Sequence, residues 1–172
     1  VGPVSTGPDN LYQLATALLV ACQGIYLEQQ VDPPSAAYVY APGEPTAVCD
    51  QLVVSFGSIY HGRPAQPIQP MQAGLTMPRT ADLFVWVFRC LTDTLQGQGL
   101  ELTDPAPVPA RANYDAQVIM TDAYILHRGI IAAHFAGTFK SFADGLAVNE
   151  AAPIQAAGGI GGMRIAVSAE LS

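Results

Sequence analysis

Charged side chains are scarce in this sequence. They make up 12% of its 172 residues, about half the share in ordinary soluble domains, while hydrophobic residues reach 50%. A surface so poor in charge is suited to being covered. Long apolar runs are missing as well. The best one, LATALLVAC at Leu14–Cys22, is about half of the roughly 18 residues that a spanning helix needs. No basic stretch leads into an apolar block as in a secretory signal, and the small Val1 in first place fits removal of an initiator Met. The chain is therefore expected to be soluble, made in a cytoplasm and without a membrane partner.

Basic residues are the scarcer charge, 7 against 14 acidic ones, for a net charge of −7. Arg63, Arg79, Arg89, Arg111, Arg128, Lys140 and Arg164 are scattered singly. Firm binding to a phosphate backbone relies on clustered cations, so nucleic acid is not expected to stick. The three cysteines, Cys22, Cys49 and Cys90, are odd in number and show no C-x-x-C spacing. Neither a disulfide framework nor a zinc knuckle is supported. Each lies in an apolar segment, and buried, reduced thiols are the expectation.

Catalytic patterns are missing too. There is no G-x-S-x-G elbow, and Ser55, Ser58 and Ser141 have no His pattern beside them to activate a hydroxyl. GGIGG at 158–162 lacks the Lys-Ser/Thr ending of a phosphate loop and leads into a strand, so it is expected to be a connector or tight turn. His127 and His134 are seven apart, whereas metal-binding pairs on one helix sit three or four apart. Asp115 and Asp122, or Asp144 and Glu150, form no carboxylate pair fixed for acid–base work. No catalytic, cofactor or metal residue is assigned, and the chain is not expected to be an enzyme. The alternative class is a small ligand-binding domain or enzyme with a pocket near Tyr124, His127 and Arg128.

What the sequence does contain is periodicity. After a Gly/Pro-rich arm (1–8), Leu11, Leu14, Ala15, Leu18, Cys22, Ile25 and Tyr26 recur at helical spacing, predicting a helix over about 9–29. Pro33 and Pro34 break it, and a short extended piece at 37–41 precedes a Pro-Gly turn signal. QLVVSFGSIY at 51–60 reads as a strand with Leu52, Val54, Phe56 and Tyr60 on one face. A Pro/Gln-rich excursion, 61–78, then leads to ADLFVWVFRC at 81–90. A second helix is predicted over about 112–136, ended by Gly137, and TFKSFADGLAVNEAAPIQ is left without an assignment. The last strand is MRIAVSAEL, with Met163, Ile165, Val167, Ala169 and Leu171 on one face.

These elements predict a single α+β domain over 1–172: a mainly antiparallel four-stranded sheet with two long helices on one face, in the order α-β-β-β-α-β. ADLFVWVFRC is apolar on both faces, so helices on one side leave an aromatic strip on the other. Contiguous apolar patches on monomers are small, and larger ones mark contact sites. Another subunit is the expected cover, with the 61–78 loop folding over the strip as the alternative. Phe84, Trp86 and Phe88 are the interface candidates, joined by Arg63, Ile68 and Met71 of the loop as elements reaching a neighbour.

NLYQLATALLVACQGIYLEQQ, then DQLVVSFGSIYHG behind Cys49, then PRTADLFVWVFRCLTD running into a Pro-rich linker and a long helix, together resemble tail-terminator proteins of long-tailed, siphovirus-type phages, nearest to versions from phages of actinobacteria. The resemblance covers most of the chain, through the order of elements and the Cys49-Asp50 and Arg89-Cys90 neighbourhoods. It implies a non-enzymatic virion protein without cofactors, six copies of which form a ring on the head-proximal end of the tail tube. Such a ring ends tube growth, meets the tail tube protein and the head-to-tail connector or stopper, and leaves a channel through which DNA passes unbound. The runner-up is another neck component or the tube subunit itself. Shorter members lack the RPAQPIQPMQAG loop and the NEAAPIQAAGGIGG insertion.

Overall fold

The computed structural model describes residues 9–41, 43–64, 66–67, 78–91, 108–157 and 159–171. Helix α1 (Asp9–Glu28) is followed by strands β1 (Ala36–Tyr40), β2 (Gln51–Arg63), β3 (Gln66–Pro67) and β4 (Arg79–Cys90). Helix α2 (Val108–Phe135) and strands β5 (Ala143–Ala157) and β6 (Ile160–Leu171) complete the chain. The fold is α+β, with the strands in the order β1-β2-β4-β6-β5. Every neighbouring pair along that order is antiparallel except β1 with β2, which is parallel. The two-residue β3 pairs with the far end of β2.

The expected sheet of four strands is therefore one too small. The unassigned stretch after α2 supplies β5, whose register against β6 shifts at three places. Those shifts break the alternation by which a strand is recognised. GGIGG corrects the reading in the same region. Gly159, at φ 73°, makes the turn, but Gly161 and Gly162 lie inside β6 opposite Arg89 and Phe88. A Cβ on Gly162 would come within 1.8 Å of the Val87 carbonyl oxygen, so the second of these glycines is demanded by sheet packing.

One face of the sheet carries the main core. Leu14, Leu18, Cys22 and Tyr26 of α1 and Leu126 and Ile130 of α2 pack on Leu52 and Val54 of β2, Leu83, Val85 and Val87 of β4, and Met163, Ile165 and Val167 of β6. The helical stripe and the alternation of the last strand thus fall where their periods put them. Both helices are close enough that Gly129 of α2 meets Ile25 of α1, whose Cδ1 lies 2.5 Å from where a Cβ would stand. Gly137 ends α2 in the left-handed region at φ 85°, with Thr138 N–H donating to Ala133 O at 3.0 Å. At the end of α1 the same left-handed place is taken by Gln30.

A bulge in β2 changes one predicted face. Its register against β4 shifts between Phe56 and Ile59, so Phe56 points to the helices while the Tyr60 hydroxyl bonds to Asp82 on the opposite face. Period-two reading across a bulge puts every later residue on the wrong side.

Candidate interface and the arginine node

The second face of β4 is not bare. Val53, Trp86 and Phe88 form a separate buried cluster, against which Tyr38 and Tyr40 of β1, Phe84 of β4 and Ile154 and Ile160 at the β5–β6 end are packed. Trp86 is 5% exposed and Phe88 2%, so the aromatic strip is closed within one chain. The three rings run along the strand, Phe84 to Trp86 tilted and Trp86 to Phe88 stacked, with centroids 6.1 Å apart in both pairs. Arg164 of β6 lies over the rings of Phe84 and Trp86, at 5.2 and 5.7 Å. The indole N–H donates to Ser55 Oγ at 2.7 Å, giving a buried polar group the partner it requires. Aromatic side chains on adjacent strands supply a cover that a reading of β4 in isolation does not contain.

Of the predicted interface residues, only Phe84 of the β4 trio keeps accessible surface of note. Arg63 is exposed at the end of β2, opposite Gln66. Ile68 and Met71 lie outside the described residues. Exposed apolar surface is found elsewhere, on the helices. Tyr12, Val20 and Leu27 of α1 and Tyr114, Met120, Tyr124 and Phe135 of α2 are all exposed, Leu27 to 72% and Phe135 to 81%. Between the two helices runs a groove of about 580 Å³, floored by Ala21, Gly24 and Gly129 and flanked by Tyr124 and Arg128. Arg128 donates to the Tyr124 hydroxyl and stacks over its ring at 5.4 Å. Tyr124 and Arg128 of the alternative ligand site thus line one groove, and His127 is not among its walls.

The arrangement least visible in the sequence sits at the end of β4. Just beyond the last paired residues of β2 and β4, Gln51 and Phe88, Asp50 meets Arg89 and Cys49 meets Cys90. Both pairs are bonded. Cys49 and Cys90 form a disulfide with Cα atoms 4.9 Å apart, and Arg89 Nη1 reaches Asp50 Oδ1 at 3.4 Å. The expectation of three reduced thiols is corrected to one, Cys22, which is fully buried and whose pKa burial pushes up to about 12. Cysteine spacing along the chain does not contain strand register, which is why a sequence separation of 41 concealed the pair.

Arg89 also turns inward. Its Nε donates to Asp122 Oδ2 at 2.8 Å and its Nη2 to Asp122 Oδ1 at 2.9 Å, with a third bond from Nη2 to Asp32 O at 3.0 Å. The Tyr26 hydroxyl donates to the same Asp122 Oδ1 at 2.9 Å. Burial works against the charge on Arg89, but its bond to Asp122 and that carboxylate's charge outweigh it, holding the guanidinium above its usual pKa. Burial, reinforced by the Asp122 charge, pushes the Tyr26 phenol well up. Asp50, at φ 62°, accepts from Ser35 N at 3.0 Å. Hydrogen bonding from Ser35, and then Arg89, holds its carboxyl below the usual range against a small cost of burial. One guanidinium therefore ties α1, the β1 approach, β2, β4 and α2 together. The signal for it was an acid, Asp122, at a core position of an otherwise apolar helical stripe.

A second carboxylate on the open face is solvated by hydroxyls. Asp82 accepts from Ser168 at 2.7 Å, Ser58 at 3.2 Å and Tyr60 at 3.4 Å, while Asn149 donates to Ser168 Oγ at 2.8 Å. Among the described residues, no three His, Cys, Asp or Glu side chains group as metal ligands, and no helix is long and apolar enough to cross a membrane. No protein-family model matches the chain, and no curated protein matches it either.

Proposed function

We propose that the chain is a structural subunit of a phage tail terminator, six copies of which close into a ring at the head-proximal end of the tail tube. The observation that carries this is the exposed apolar surface of both helices, headed by Leu27 and Phe135. Those side chains are as apolar as a core and are largely exposed in one copy. A ring of identical chains needs two different surfaces that fit one another, and permanent interfaces resemble a domain core cut in half. The aromatic strip of β4 is spent inside the subunit, so the helical layer takes over the contact role first given to Trp86 and Phe88.

Two further features support the same reading. The Cys49-Asp50 and Arg89-Cys90 neighbourhoods, which carry the resemblance to tail terminators, face one another as a bonded unit. Arg89 is committed to Asp122, Arg164 lies over Phe84 and Trp86, and the other basic residues are spread singly along the chain. Firm binding to DNA passing through a channel relies on clustered cations instead.

Native mass spectrometry across a concentration series, with and without purified tail tubes, tests the proposal. A closed hexamer that stops at one or two rings is the expected result. Long cylinders would favour a tube subunit, and a chain that stays monomeric under both conditions would end the ring reading. A large, saturable thermal shift with a small ligand would favour the groove beside Tyr124 and Arg128 as a binding pocket instead.

A further inference from the structure

We propose that the Cys49–Cys90 bridge is a thiol–disulfide exchange site, opened by attack of a small thiol on Cys90 Sγ, and that opening it releases the junction between β1 and β2. This does not depend on the ring. Cys90 is exposed and Cys49 half-buried, so the bridge is open to solvent from the Cys90 side. Cys90 also lines a cleft of about 220 Å³ with Asp50, Arg89, Leu91 and Tyr114, room enough for a thiol of small size. The remaining cysteine, Cys22, is fully buried in the helical core and takes no part.

The chemistry balances with a monothiol as reductant. A first thiolate attacks Cys90 Sγ, forming a mixed disulfide there and expelling Cys49 as the thiolate. A second thiolate attacks the outer sulfur of that mixed disulfide, giving the oxidised reagent and Cys90 thiolate. The two protein thiolates take up the two protons that the reagent thiols lost. Oxidised reagent runs the same steps backwards.

What the bridge holds makes its opening consequential. Asp50 lies between Cys49 and the first residue of β2, in the left-handed region at φ 62°, which aspartate tolerates better than most side chains but which its surroundings here help to hold. Those surroundings are the bridge on one side and Arg89 and Ser35 on the other. The Asp50 carbonyl further accepts from Ala36 N at 3.3 Å, at the first residue of β1. With Cys49 detached from β4, Asp50 is free to leave the left-handed region, and the bonds from Ser35 and Ala36 go with it. The bridge is a latch on the parallel β1–β2 pair.

The test uses the full chain, equilibrated with oxidised glutathione and then treated with or without excess dithiothreitol under native conditions. Alkylation and mass spectrometry should find Cys49 and Cys90 blocked before reduction and both labelled after it, with Cys22 labelled only in denaturant. Hydrogen exchange over Ala36–Tyr40 should speed up several-fold on reduction, and the melting temperature should fall by about 5–10 °C. Cys49→Ser/Cys90→Ser, if it folds, should be indifferent to dithiothreitol. With single variants, oxidised glutathione should label Cys90 in Cys49→Ser several-fold faster than Cys49 in Cys90→Ser. Free Cys49 and Cys90 after oxidation, a bridge that yields only in denaturant, the reverse order of labelling, or unchanged exchange at 36–40 would each overturn the proposal.

Discussion

Arg89 and Asp122 meet through two parallel hydrogen bonds, Nε to Oδ2 and Nη2 to Oδ1, at 2.8 and 2.9 Å, and Asp122 is 1% exposed. The end of the central strand is thereby clamped to the middle of α2. A paired buried charge adds little over an apolar contact of the same shape, but an orphaned one is costly.

Asp122→Ala should therefore cost about 3 kcal/mol, because it takes the acceptor from the Tyr26 hydroxyl and leaves the guanidinium to the Asp32 carbonyl and the longer contact with Asp50. An apolar replacement of both partners, Arg89→Met with Asp122→Leu, should recover much of that loss. Urea unfolding of Asp122→Ala, of Arg89→Met and of the double variant measures it. Two singles that each cost under about 1 kcal/mol would show that water reaches the pair and that it is an ordinary surface bridge.

Trp86 and Phe135 should separate folding from association. Trp86→Ala removes a buried ring and orphans Ser55, with an expected loss of about 3–5 kcal/mol. Phe135→Asp changes a side chain that touches solvent and should stay within about 0.5 kcal/mol of the parent. On the ring proposal it should nonetheless weaken hexamer formation by tenfold or more, about 1.4 kcal/mol per contact. Circular dichroism and native mass spectrometry on both variants decide; a Phe135→Asp chain that assembles like its parent removes α2's outer end from the interface.

Two glycines should behave in opposite ways. Gly162→Ala places a methyl group 1.8 Å from the Val87 carbonyl oxygen, which the β4–β6 ladder has no means to yield, and should prevent soluble folding. Gly24→Ala meets nothing within 4 Å, lies inside α1, and should raise stability by about 0.5–1 kcal/mol. Thermal melts of the two variants check the contrast, and a well-folded Gly162→Ala chain would mean that the strand register is other than described.

Alkali should destabilise the chain from about pH 9 upward. Cys22 and Tyr26 have raised folded pKa values, from 9.0 and 10.0, so the stability they carry is full below those unfolded values and is lost as pH rises beyond them. Above about pH 9 for Cys22, and above about pH 10 for Tyr26 as well, each group should remove about 1.4 kcal/mol per pH unit. Cys22→Ala should move the onset up by about one unit toward the tyrosine value. Denaturant midpoints measured from pH 7 to 11 that stay level through pH 10 would contradict this.

The elements that the sequence disclosed are those whose period is unbroken. Leu14, Leu18 and Cys22 in α1 and Met163, Ile165 and Val167 in β6 are buried together, as their spacing requires. The parts that stayed hidden are set by pairing between distant segments. β5 carries bulges and Pro153, and β2 changes face at its own bulge, so alternation fails locally where the register shifts. The disulfide and the Arg89 node come from residues at 49, 50, 89, 90 and 122 that only register and helix docking bring together. Burial of Trp86 was equally out of reach, because it depends on Tyr38, Tyr40 and Arg164, which belong to other strands.

The position of β6 has a bearing on how the chain is made. It is last in the order of elements, yet it is the strand that joins β4 to β5 near the centre of the sheet. On the ribosome, β1, β2 and β4 can pair as they emerge, but β4 must wait with one edge open until residues 160–171 follow. Contacts between positions so far apart slow folding, and an unpaired edge of apolar strand invites other nascent chains. The half-made sheet is the state in which this protein is most exposed to aggregation, and chaperone demand should end abruptly once β6 slides home.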